Sequence, residues 1–141
     1  MSGVPATRTR SARGTSTVEM AIVLPLLFML LFGIGEFGVG FMRWQALVNA
    51  AREGARVGVV YREPCNAGQV QTEVQQAVQN YAAVLGVQVQ AGQINLAGSC
   101  TGTGTPLNVR VQVPYDFPVL SAIAGLLPTV NLTANSVMRN E

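Results

Sequence analysis

The 141-residue chain carries nine basic residues against seven acidic ones, for a formal charge of +2 with only 11% charged residues. So weak a charge offers no polyelectrolyte face for nucleic acid. All nine basic residues are arginine and histidine is absent. This excludes histidine-based triads, imidazole metal sites, the P-loop lysine and Schiff-base chemistry. No catalytic, cofactor-binding or metal residue is assigned, and a non-enzymatic role is expected.

Residues 1–13, with Arg8, Arg10 and Arg13, are polar and basic and read as a disordered leader outside the fold. From Val18 to Phe41 the chain is apolar except for Glu19 and Glu36. As a helix this stretch extends about 36 Å, enough to cross a hydrocarbon core of about 30 Å. A chain this short has little protein with which to cover such a helix on all sides, which favours a membrane span over a buried core helix. Pro25 removes the hydrogen bond to the Ala21 carbonyl and is expected to kink or loosen the span. Gly33, Gly35, Gly38 and Gly40 thin its outer end for close helix–helix approach. Glu36, inside that glycine patch, has two candidate roles: pairing with an arginine of a neighbouring subunit, or lying near the headgroups beside Arg43.

Glu19 sits near the start of the span, where an unpaired carboxylate is costly and a partner is called for. A basic leader, Gly14, a glutamate five residues on and then an apolar helix resemble the class III signal of type IV prepilins. The resemblance implies cleavage after Gly14 by a membrane prepilin peptidase, leaving Thr15 as the mature N-terminus. It also implies that Glu19 neutralises the new amine of a neighbouring subunit during assembly. One departure is Met20, where the family usually has an aromatic residue. The rival is an ordinary signal peptide cut near Gly33-Ile34-Gly35 or Val48-Asn49-Ala50, positions poorly placed relative to the apolar core.

Arg43 and Trp44 form an interfacial pair of the usual kind. The helix is then expected to continue with Leu47, Ala50, Ala51, Gly54, Ala55 and Gly58 as a small-residue packing face. Arg52, Glu53 and Arg56 fall to its sides, and Glu53 and Arg56 are spaced as a surface ion pair. The strings Glu36-Phe37-Gly38 and Asn49-Ala50-Ala51-Arg52-Glu53-Gly54-Ala55-Arg56 resemble the TadE-like family, pseudopilin-like proteins of tight-adherence (Tad) pilus systems. This resemblance covers residues 1 to about 60.

Beyond the stem, Glu63 to Gly68 reads as a turn. Gln69 to Leu85 reads as a helix with Val70, Val74, Ala77, Val78, Tyr81 and Leu85 on one face and Gly86 as its cap. Val87–Gln90 and Gln93–Ala97 read as one strand or a loose hairpin, and Leu107–Val113 is the clearest strand. Val119–Leu127 is an apolar segment, either a short helix or a contact patch. Thr129–Arg139 closes the sheet, with Val130 and Leu132 expected inward. Cys65 and Cys100 lie after the span. One such pair in a small exported domain reads as a disulfide, with two buried free thiols in a cytoplasmic domain as the competing reading. Counting arginines on the two flanks does not decide orientation, so the cysteines place the C-terminal part on the extracytoplasmic side.

The expected fold is α+β and pilin-like: a long N-terminal transmembrane stem helix, one further helix and a small antiparallel sheet. Its expected divisions are leader 1–14, membrane-spanning and amphipathic stem 15–60, and exported domain 61–141. The family resemblance implies a minor pilin or pseudopilin of the cytoplasmic membrane that takes part in pilus assembly. Its partners would be sibling pilins, prepilin peptidase, the assembly platform and membrane lipid. A permanently membrane-anchored binding module is the alternative.

Overall fold

The structure, a computed structural model, describes residues 11–60, 63–100, 104–124 and 129–140. Helix α1 runs unbroken from Ser11 to Gly58, about 70 Å at 1.5 Å per residue. It starts before Gly14, so residues 11–13, expected to be part of a disordered leader, are helical. Alanine and arginine at positions 12 and 13 are good helix formers that extend a helix already nucleated by the stem. The rest of the expected leader, residues 1–10, lies outside the described residues. Pro25 sits inside α1 without ending it. Of the helices among the described residues, α1 alone is long and apolar enough to cross a membrane, and none of its most apolar window is buried by protein.

Helix α2 spans Ala67–Val84. Asn66 caps its start, the side-chain oxygen accepting from the backbone N–H groups of Gly68 at 3.0 Å and Gln69 at 3.4 Å. This satisfies donors that the first helical turn cannot satisfy itself. At the other end Gly86 takes φ +75°. Its N–H donates to the Ala83 carbonyl at 3.0 Å, and that of Val87 to the Ala82 carbonyl at 2.9 Å, the paired bonds of a Schellman ending. The buried ridge of α2 is Val70, Val74, Val78 and Ala82, spaced strictly by four. Tyr81 and Leu85, expected on this face, are instead 39% and 50% exposed. They lie off the ridge because contact with α1 follows a single row of side chains, which rotates Ala82 inward in their place.

A 3-10 turn at Ala91–Gln93 leads into strand β1, Ile94–Ala97; residues 87–90 form no strand. Strand β2 spans Pro106–Tyr115 and strand β3 Val130–Arg139, and between them lies the short helix α3, Pro118–Ala124. The sheet is antiparallel in the order β1-β2-β3. Val111 pairs with Ile94 on one side and Ala134 on the other, and all three are buried. That face of the sheet meets the small-residue face of α1 and the ridge of α2 in one core, with Leu47, Leu107, Val74, Val78, Val109 and Val111 fully enclosed. On β3 the inward positions are Leu132, Ala134, Ser136 and Met138. Val130, expected inward, has the right parity but is 42% exposed, because it stands at the strand's first position, beyond the enclosed core. The fold is thus α+β, with a long N-terminal apolar helix, further helices and a small three-stranded antiparallel sheet.

Candidate functional site

One face of α1 serves the whole head. Starting at Gly33 and Glu36 it continues through Gly40, Arg43, Leu47, Ala51, Gly54 and Gly58, steps of three or four that keep side chains in line. Toward the C-terminus this face is close-packed. A Cβ added to Gly54 would lie 2.5 Å from Val78 Cγ2, and one on Gly58 2.5 Å from Leu107 Cδ2. Only glycine lets α2 and the sheet approach α1 this closely. Glu53 and Arg56 do meet, at 3.9 Å, but both are exposed enough that the pair contributes little.

In the middle of the stem the same face makes polar and aromatic contacts. Gly40 leaves room for the Tyr115 ring, whose Cε1 would lie 3.1 Å from a Cβ there. The Arg43 guanidinium sits over that ring, 5.1 Å from its centroid, as a cation–π pair. Tyr115 is further held edge-on by Phe117 at 5.0 Å. The Trp44 Nε1 donates to the Thr133 carbonyl at 3.1 Å. Arg43 and Trp44 therefore brace the head against the stem as well as standing where the apolar stretch ends.

Glu36 is 8% exposed. One carboxylate oxygen accepts from the Val119 N–H and the other from the Leu120 N–H at 3.0 Å. Within the chain, then, Glu36 holds the first turn of α3, a partner more than eighty residues away in sequence. This intrachain contact is distinct from both expected roles, pairing with a neighbour's arginine or lying near the headgroups beside Arg43. Sequence reasoning missed Tyr115 and the α3 N-terminus as partners. The one available signal was that Glu36, Gly40 and Arg43 share a helix face.

The remaining sequence-derived residues are set apart from this cluster. Gly14 is in the exposed first turns of α1, where an added Cβ would meet nothing within 4 Å, and Thr15 follows it in the same helix. Glu19 is exposed, and among the described residues it has no ion pair. Cys65 and Cys100 are disulfide-bonded, with Cα atoms 5.7 Å apart. The bond ties the segment after α1 to the turn between β1 and β2. Among the described residues no group of three or more His, Cys, Asp or Glu side chains could hold a metal ion.

No curated protein and no solved structure matches this chain. Residues 14–56 match the family model described as TadE-like protein. The match begins at Gly14, includes Glu19 and Glu36, and ends within the packed face of α1. Over these residues α1 is similar to the TadE-like family, a match that covers 43 of the chain's 141 residues.

Proposed function

We propose that this protein is a structural minor pilin or pseudopilin, cleaved after Gly14 by prepilin peptidase and taking part in Tad pilus assembly from the cytoplasmic membrane. The observation that carries the reading is the TadE-like match over residues 14–56, which coincides with an apolar helix left uncovered by protein. A helix whose apolar side chains stand free needs lipid or other stems around it, and a filament of pilins exchanges the first for the second. In this reading residues 1–14 are the leader, 15–60 the stem and 61–141 an extracytoplasmic domain. Glu19 faces the N-terminal amine of a sibling subunit. Other partners are the peptidase and the membrane platform of the assembly machine.

The test is the N-terminus and mass of protein recovered from membranes and from sheared surface filaments. Mature protein is expected to begin at Thr15, and Gly14→Val to leave a full-length, membrane-held precursor. Normal-length mature protein from Gly14→Val would remove the prepilin reading. A wild-type chain that keeps residues 1–14 would favour a permanently anchored binding module.

A further inference from the structure

Helix α3 and Glu36 each pose a problem that the other solves. Measured from Val18, Gly33 lies about 22 Å along α1 and Glu36 about 27 Å, both inside a hydrocarbon core of about 30 Å. Helix α3 starts at Glu36 and packs back toward the apolar stretch, with Leu120 Cδ2 4.0 Å from the position a Cβ would take on Gly33. It is therefore carried to the depth of the span. The sequence there, Phe117-Pro-Val-Leu-Ser-Ala-Ile-Ala124, contains no charged residue.

A helix that starts in hydrocarbon exposes N–H groups that have no water to bond. In α3 the positions from Pro118 to Ser121 leave no N–H unsettled. Pro118 has no N–H, Val119 and Leu120 donate to the two oxygens of Glu36, and Ser121 donates to the Phe117 carbonyl at 2.9 Å. Conversely, a carboxylate at that depth needs close donors, and the two amides supply them. Val119 and Leu120 are nonetheless only half-buried, and Val119 lines one groove with Phe32 and Val39 of α1, which remain exposed.

We propose that α3 is embedded in the lipid leaflet on the head's side of the bilayer, its apolar side chains covered by acyl chains and its start held there by Glu36. Continuity with the uncovered apolar surface of α1 selects lipid as the occupant. The proposal rests on reading α1 as a membrane span.

The test uses the full wild-type chain in phosphatidylcholine vesicles doped with a diazirine-bearing phosphatidylcholine. After illumination, reduction and trypsin, cleavage at the arginines separates peptides 14–43, 63–110 and 111–139. Lipid adducts are expected on 14–43 and on 111–139, the latter localised by fragmentation to residues 117–124, with 63–110 unlabelled. In Glu36→Ala the adduct on 111–139 is expected to fall roughly tenfold, as two carboxylate-held amides lose their acceptor, while labelling of 14–43 stays. Labelling of 14–43 alone in the wild type overturns the embedding of α3 and leaves the span intact. An unlabelled 14–43 overturns both readings. Labelling of 111–139 that appears only when the chain is diluted to a high lipid-to-protein ratio shows a second copy covering α3 and overturns the choice of occupant. Unchanged labelling in Glu36→Ala overturns the role given to Glu36.

Discussion

Replacing Gly54 by alanine sets two effects of known sign against each other. Removing a glycine from a helix interior stabilises by about 1 kcal/mol. Here, however, the new methyl group would lie 2.5 Å from Val78 Cγ2 and 3.3 Å from Val74 Cγ1, where carbon atoms prefer about 3.5–4.0 Å. Val74 and Val78 are fully enclosed, so neither can swing into open space and α2 itself must move. Overpacking of this kind costs about 1–3 kcal/mol, which leaves a net loss of up to about 2 kcal/mol. For a head of this size each kcal/mol lowers Tm by about 4–8 °C. Trp44 is the sole tryptophan and donates to the Thr133 carbonyl across the stem–head contact, so its fluorescence during thermal unfolding in micelles reports docking of the head rather than melting of the stem. Gly35→Ala is the control, since a Cβ there meets nothing within 4 Å, and it should be neutral or slightly stabilising. Val78→Ala is destabilising alone through its cavity, but combined with Gly54→Ala it should cost less than the sum of the two. A Gly54→Ala protein stabilised by the full helix gain of about 1 kcal/mol, with no overpacking loss, would refute the claimed closeness of α1 and α2.

Gly86→Ala tests backbone alone: nothing lies within 4 Å of its Cβ position, yet φ is +75°, so a loss of about 1 kcal/mol is expected in the same thermal assay. Cys65→Ser with Cys100→Ser should destabilise the head by roughly 2–4 kcal/mol, and non-reducing peptide mapping of protein from cells should recover the two residues joined; free thiols would undo the extracytoplasmic placement. Glu19→Gln should still be cleaved after Gly14 but should crosslink poorly to sibling pilins, because an amine left without its counter-charge costs roughly 3–5 kcal/mol if fully buried and less where water reaches it. Normal crosslinking by the cleaved mutant would show that the charge is not needed.

What could be read in the sequence was whatever depends on local order. The apolar run, the Leu47-to-Gly58 face and the alternation of Val109, Val111 and Val113 each follow from helix or strand periodicity. The start of β3 shows the limit of that reading: parity puts Val130 inward, but only the packed fold decides where cover ends. Tyr81 and Leu85 were misplaced for a related reason, since a helix face about 100° wide contains several candidate rows and the partner helix selects one. The Glu36 contact was least legible. Its donors are backbone N–H groups, which every residue but proline carries, so no side-chain pattern near Val119 marks them.

Because α1 passes without interruption from the apolar stretch into the core of the head, the stem acts as a lever. Phe41 to Gly58 is about 25 Å of helix, clamped to the sheet by Trp44 and the contact at Gly58 and to α2 by the contact at Gly54. No loop intervenes to absorb a change of angle. Were neighbouring stems to tilt the apolar part by about 10°, the far end of the head would swing by roughly 4 Å. Whatever surface surrounds the lower half of α1 would thereby steer the orientation of the upper half without touching it.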